Sequence, residues 1–150
     1  MPQKFRYSDD GSRYHTLKYH NLHTWGKPVY KAVVDAGFTC PNIDGACGSG
    51  GCIYCSGGSG YFTFPELSVR EQIERESARI REKCPGAGVI AYFQAHTNTY
   101  GSIGRLREVY SQALECDICG ISAATRADCI DHERAGFLAS LGVPVTVELG

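Results

Sequence analysis

Apolar residues gather in four short runs separated by stretches of longer period. Residues 29–35 are rich in Val and Ala and read as a short buried strand. Residues 89–93, Val-Ile-Ala-Tyr-Phe, form an unbroken apolar run of strand length, the pattern of a strand covered on both faces. Residues 118–123 read as a third strand and 143–149 as a fourth. Between the first two lies Ser68-Val-Arg-Glu71, a capping box that opens a helix. Val69, Ile73, Ile80 and Cys84 then fall on one face at helical spacing. Glu66–Arg70 and Glu71–Arg75 support the helix as i,i+4 pairs, and Pro85-Gly86 stops it. A second helix is predicted over about 103–114, with Leu106, Val109 and Ala113 inward. Asp128-Cys-Ile-Asp131 has the form of another capping box, opening a helix that closes at Leu141-Gly142. Residues 1–28 are polar and Tyr/His-rich with no clear period, and are expected to form an irregular lead-in.

Strands alternating with helices imply a parallel sheet with right-handed crossovers. Chemistry on such sheets sits at the carboxyl ends of the strands. The informative polar segments fall there: a cysteine loop after the first strand, residues 94–100 after the second, and Thr125-Arg126 after the third. The chain stops at the end of a strand that expects a covering helix. The predicted fold class is therefore α/β. It is a partial (β/α) barrel, truncated after about four parallel strands and three helices, with residues 29–150 as the N-terminal part of a larger barrel.

Composition narrows the class. The chain of 150 residues is 43% hydrophobic and 21% charged, as in globular domains. No apolar run approaches the roughly 20 residues of a membrane helix, and the N-terminus lacks the apolar core of a secretory signal. The expectation is a cytoplasmic protein with no membrane partner. A net charge of −1 gives the whole chain no polyanion footprint. The first 31 residues nevertheless carry six Lys/Arg against two Asp, with His15, His20 and His23. Such an arm suits either a nucleic-acid contact or a solvated extension.

The candidate chemistry is concentrated in residues 40–60, where four of the eight cysteines lie among closely spaced glycines. Glycine lets backbone turn tightly and approach a bound group, and thiolates at short spacing bind soft metals or iron–sulfur clusters. Cys40, Cys52 and Cys55 make a Cys-x11-Cys-x2-Cys set. Three thiolates suit a [4Fe–4S] cluster with one open iron. With Cys47 as a fourth ligand, the same loop suits a closed zinc site, which would make the chain a non-catalytic zinc- or cluster-binding interaction module. A disulfide framework is disfavoured, because the cysteines are clustered and the chain is long enough to bury a core. The second Cys-x2-Cys, Cys116 and Cys119, lies at the entry to the third strand, on the rim opposite the candidate site. It is expected to be packing, as are Cys84, Cys129 and, where it is not a zinc ligand, Cys47. His96 is expected at the surface.

Cys52-Ile-Tyr-Cys55 resembles the Cys-x-Φ-Cys end of the radical S-adenosylmethionine (SAM) superfamily's cluster loop, where Φ is aromatic. Longer stretches resemble one branch, the YhcC/YtqA-like proteins, with likeness to Elp3-type enzymes. They are Asp35-Ala-Gly-Phe-Thr-Cys-Pro-Asn42, Gly50-Gly-Cys-Ile-Tyr-Cys-Ser56 and Ala91-Tyr-Phe-Gln-Ala-His-Thr-Asn-Thr-Tyr100. Gly120-Ile-Ser-Ala-Ala-Thr-Arg-Ala-Asp-Cys129 and Val147-Glu-Leu-Gly150 extend the likeness to the end.

The resemblance implies a partial barrel of the radical SAM type. It also implies a [4Fe–4S] cluster on Cys40, Cys52 and Cys55, and S-adenosylmethionine cleaved reductively to methionine and a 5′-deoxyadenosyl radical. By position, Tyr54 would lie beside the adenine. Gln94, Thr97 and Asn98 would meet the amino end of SAM, Arg126 its carboxylate, and Glu148 its ribose hydroxyls or amino group. Arg126 and Asp128 have the alternative of pairing with each other. A reductant such as flavodoxin or ferredoxin is an implied partner. The Elp3-type likeness and the basic arm together point to tRNA, at a uridine, as the substrate. The branch usually places proline after the strand-three Arg, where this chain has Ala127.

Overall fold

The computed structural model describes residues 8–53, 55 and 63–150. Four parallel strands, β1 (Val29–Val34), β2 (Gly88–Phe93), β3 (Gly120–Thr125) and β4 (Val145–Leu149), form one sheet in the order β1-β2-β3-β4. Helices α1 (Leu17–Trp25), α2 (Val69–Lys83), α3 (Ile103–Leu114) and α4 (His132–Ala139) complete the α/β fold.

The inter-strand helices begin where side chains satisfy orphan backbone amides. Ser68 and Glu71 form the capping box of α2, with each side chain accepting from the other's backbone. Ser102 caps α3. At α4 the cap is Asp131, whose carboxylate accepts from Arg134 N at 2.8 Å. The expected start at Asp128 is corrected: Asp128 lies in a short 3-10 turn, Ala127–Cys129, where its carboxylate is taken by Arg126. α4 also ends at Ala139, before the left-handed Gly142.

A second correction concerns residues 1–28, which are not wholly irregular. Thr16 Oγ1 accepts from Tyr19 N at 3.0 Å, and Gly26 closes α1 in the left-handed conformation (φ 67°). Only Asn21 of this helix is buried, its amide donating to Val29 O at 3.2 Å. With no apolar stripe to bury, the helix carries no hydrophobic period.

The third and fourth strands start two residues later than the apolar runs do. Cys119 N donates to Val89 O, and regular pairing begins at Gly120, whose Cβ position would lie 2.8 Å from Pro144 O. Pro144 has no amide to give to a ladder, but its carbonyl accepts from Ile121 N at 2.9 Å.

One face of the sheet holds the core. Val34, Ala91, Phe93, Ile121 and Ala123 pack against Val69, Ile73, Leu106, Val109, Tyr110 and Leu138, all buried. The rings of Phe93 and Tyr110 pack at a tilt of 39° with centroids 4.5 Å apart. Period-two alternation puts Lys31, Tyr92, Ser122 and Glu148 on the other face. That face is concave: Lys31 of β1 and Glu148 of β4 form an ion pair although β2 and β3 lie between them. Strands about 4.8 Å apart would separate β1 from β4 by roughly 14 Å on a flat sheet, further than these two side chains span.

Candidate functional site

Three loops meet at the carboxyl ends of the strands because backbone hydrogen bonds tie them together. Thr97 N donates to Thr39 O at 3.2 Å, joining the loop after β2 to the residue before Cys40. Asn98 N donates to Ala124 O at 3.0 Å, joining the same loop to the end of β3. Gly150 N closes the row on Thr125 O at 3.1 Å.

The cysteine loop is built from tight turns. Ile43 N and Asp44 N both donate to Cys40 O, Cys47 N to Pro41 O, and Gly51 N to Asn42 O. Gly50 and Gly51 are left-handed (φ 83° and 78°), where a residue bearing Cβ would be strained. Cys55 N donates to Cys52 O at 2.9 Å, a one-turn closure that brings these two cysteines near each other. The Asn42 amide donates to Cys52 Sγ at 3.1 Å.

A cavity of about 680 Å³ opens at this junction, within the roughly 300–1,000 Å³ range of small-molecule sites. Cys40, Cys52 and Cys55 line it together with Gln94, Thr97, Arg126 and Glu148. Of the expected site residues, Asn98 is not brought to this wall. It is fully buried, and its side-chain amide donates to the carbonyls of Phe93, Ala95 and Ala124 at 3.0–3.1 Å. Its place is under the floor, as a clamp between the ends of β2 and β3. Tyr54 lies outside the described residues.

The charged side chains of the wall, Arg126, Asp128 and Glu148, all have partners. Arg126 meets Asp128 in a two-pronged pair, Nε to Oδ1 at 2.8 Å and Nη2 to Oδ2 at 2.6 Å. These bonds hold the Asp128 carboxyl down at about 2 and raise the guanidinium above its ordinary value. The guanidinium also faces Cys40. Glu148 accepts from Lys31 and Ser122, and the Lys31 ammonium sits 3.8 Å from the Tyr92 ring centroid. Burial works against the Glu148 charge, but the bonds from Lys31 and Ser122 keep its carboxyl below the ordinary range. Burial, and then the Glu148 charge, push the Tyr92 phenol up.

His96 is not at the surface as expected. It is half-buried on the cavity wall in the left-handed conformation (φ 58°), one ring nitrogen 2.8 Å from Phe38 O. A lone His in a polar loop carried no periodic signal for this placement.

Among the described residues, none of the eight cysteines is joined in a disulfide. Cys47 lines a neighbouring cavity of about 270 Å³ with Tyr100, Cys129 and Arg134. Cys116 and Cys119 lie at the amino end of β3, opposite the site. Burial first, then the Glu74 charge, raises the Cys116 thiol, as befits packing. Among the described residues, no three Cys, His, Asp or Glu side chains stand grouped at metal-holding distance. The three thiols thus share a wall without forming a closed polyhedron. The donor set still fits a sulfur-ligated cluster. Each carboxylate on the wall faces a cation, so thiols are the soft donors left, and an amide N–H is aimed at one sulfur.

Fold and site together define an α/β domain with a thiol-bearing cavity at the carboxyl edge of a parallel sheet. The chain is 42% identical over 151 residues to the uncharacterized protein YtqA of Bacillus subtilis, a match covering 97% of this chain and 47% of that protein. It is 33% identical over 131 residues to the protein YhcC of Escherichia coli K12, covering 84% of this chain and 41% of YhcC. An uncharacterized protein of Methanocaldococcus jannaschii is 29% identical over 130 residues, with 81% and 39% covered. The chain thus spans less than half the length of these curated relatives. No family model and no solved structure matches it.

Proposed function

We propose that this chain is the N-terminal part of a radical SAM enzyme, with Cys40, Cys52 and Cys55 as ligands of a [4Fe–4S] cluster. The observation that carries the reading is the convergence of these three thiols with Gln94, Thr97, Arg126 and Glu148 on one cavity at the carboxyl edge of the sheet. Cys40, Cys52 and Cys55 would hold the cluster, which when bound would supply the electron for reductive cleavage of SAM. The chain's own contribution is placement and charge. Arg126 offers a guanidinium fork for the ligand carboxylate. Glu148 places a negative charge on the neighbouring strand β4, and Asn42 donates to the sulfur of Cys52. Thr97 fixes the loop against the cysteine turn. Cys47 opens on the neighbouring cavity, which supports a three-thiolate set over a four-thiolate zinc module.

The reading extends to tRNA as substrate. In support, residues 11–30 carry the exposed Arg13, Lys18 and Lys27 with no acidic residue. On α1 and its approach, Tyr19 stacks on His23 at 3.8 Å, and His15 lies edge-on to Tyr19 at 5.2 Å. Exposed cations and aromatic rings suit phosphate and base contacts.

The test is metal and product analysis of the anaerobically prepared full-length protein. Iron and sulfide near four per chain are expected, with 5′-deoxyadenosine released when SAM and dithionite are added. Cys40→Ala, Cys52→Ala and Cys55→Ala each abolish both signals, and Cys47→Ala retains them. One zinc per chain, lost in Cys47→Ala, contradicts the proposal.

A further inference from the structure

Arg126 is the cation of the cavity, and its fork is already engaged. Asp128 holds both Nε and Nη2, the same two-pronged geometry that a ligand carboxylate would take. Asp128 fills the Nε–Nη2 edge and leaves Nη1 clear of it, so a ligand carboxylate that takes the same edge competes with Asp128, and one at the remaining edge still meets its negative charge.

The surroundings set how the exchange runs. The Arg126 side chain is 25% exposed and faces Cys40, whereas the Asp128 side chain is 55% exposed. Asp128 lines both the main cavity and the neighbouring one, so its carboxylate has water to turn into when it leaves the fork. It sits on a three-residue 3-10 turn whose middle it occupies, and position 127 is Ala, with no ring to fix the backbone. The other wall charge differs. Glu148 is tied to Lys31 and to Ser122 on the neighbouring strand, in a network built into the sheet face.

Resting on the function proposed above, we infer that Asp128 is a specificity-determining residue. It competes with the ligand carboxylate for the Arg126 fork, and so sets how strongly the cavity selects a carboxylate-bearing ligand. An exposed ion pair of this kind contributes little, so removing the competitor raises affinity about three- to fivefold and no more.

The test uses anaerobic calorimetry on the reconstituted full-length protein, with SAM and decarboxylated SAM as probes. Asp128→Asn keeps the side-chain shape and an acceptor for Arg126, and Asp128→Ala serves as a second variant whose thermal melt checks folding. In both, SAM is expected to bind three- to fivefold tighter while decarboxylated SAM is unchanged. Equal gains for both probes overturn the inference, since the carboxylate would then not be what Asp128 opposes. Weaker or unchanged SAM binding in both variants overturns it too, leaving Asp128 as a support for Arg126. If the wild-type protein binds neither probe, the function proposed above fails first, and this inference with it.

Discussion

Lys31 of β1 and Glu148 of β4 form an ion pair across two intervening strands, with Ser122 and the Tyr92 ring filling the space between them. The pair links the two edges of the sheet and places a carboxylate on the cavity wall. Each side chain is 34% exposed, so solvent screens part of the interaction. A carboxyl held below its ordinary value stabilises the fold above that value, and the contribution is lost as pH falls through the folded one. For Glu148 the ordinary value is 4.5. Urea unfolding should show Glu148→Gln less stable than wild type at neutral pH, with the gap closing as pH drops below 4.5. A gap that is the same at both ends of this range contradicts the assignment.

Asn98 separates structural from binding roles in the loop after β2. Its amide serves three backbone carbonyls at zero exposure. Asn98→Ala removes the side-chain donor from the Phe93 and Ala95 carbonyls, while Ala124 O keeps the Asn98 backbone N–H, and should cost about 2–3 kcal/mol. Gln94→Ala, at an exposed position on the cavity rim, should change stability by less than about 0.5 kcal/mol. Denaturant midpoints compare the two directly, and equal costs contradict the clamp.

Tyr110 carries the core's rigidity up to the site. Its ring packs on Phe93, and its hydroxyl donates to Asn98 O at 3.1 Å. Burial pushes the phenol well above its ordinary value, so it stays a neutral donor. Tyr110→Phe should cost about 1 kcal/mol and speed hydrogen exchange at the Thr97 and Asn98 amides, while the amides of β1 keep their protection. Exchange that rises evenly through the sheet contradicts this local role.

Gly120 fixes where β3 meets β4. A Cβ there would lie 2.8 Å from the Pro144 carbonyl, which is backbone and has no side-chain freedom to yield. Gly120→Ala should therefore destabilise by about 1–3 kcal/mol, the range of overpacked interiors, measured by thermal melting. A variant as stable as wild type shows that the two strands can part without cost.

The parallel sheet and its three inter-strand helices were legible because each strand is a short apolar run and α2 and α3 carry both a cap and an apolar stripe. α1 was not, since its caps are real but only Asn21 is buried and no period records that. The strand ends were displaced by backbone facts invisible in hydropathy, such as the close approach of Gly120 to Pro144. In the site, spacing drew attention to Cys40, Cys52 and Cys55, and the family resemblance to Gln94, Thr97, Arg126 and Glu148; the fold brings all seven to one cavity. Asn98 is chemically equivalent to a binding residue in the sequence, and only the direction of its side chain shows it turned inward. Lys31 reads as one more surface cation until the curvature of the sheet brings it to Glu148.

The central claim is an open iron site on three thiolates, and low-temperature EPR of the reconstituted full-length protein tests it most directly. After dithionite reduction, the signal of a reduced [4Fe–4S] cluster is expected, with g-values that change when SAM is added, and no such signal in Cys52→Ala. A reduced-cluster signal indifferent to SAM, or a protein that holds zinc and no iron, contradicts it.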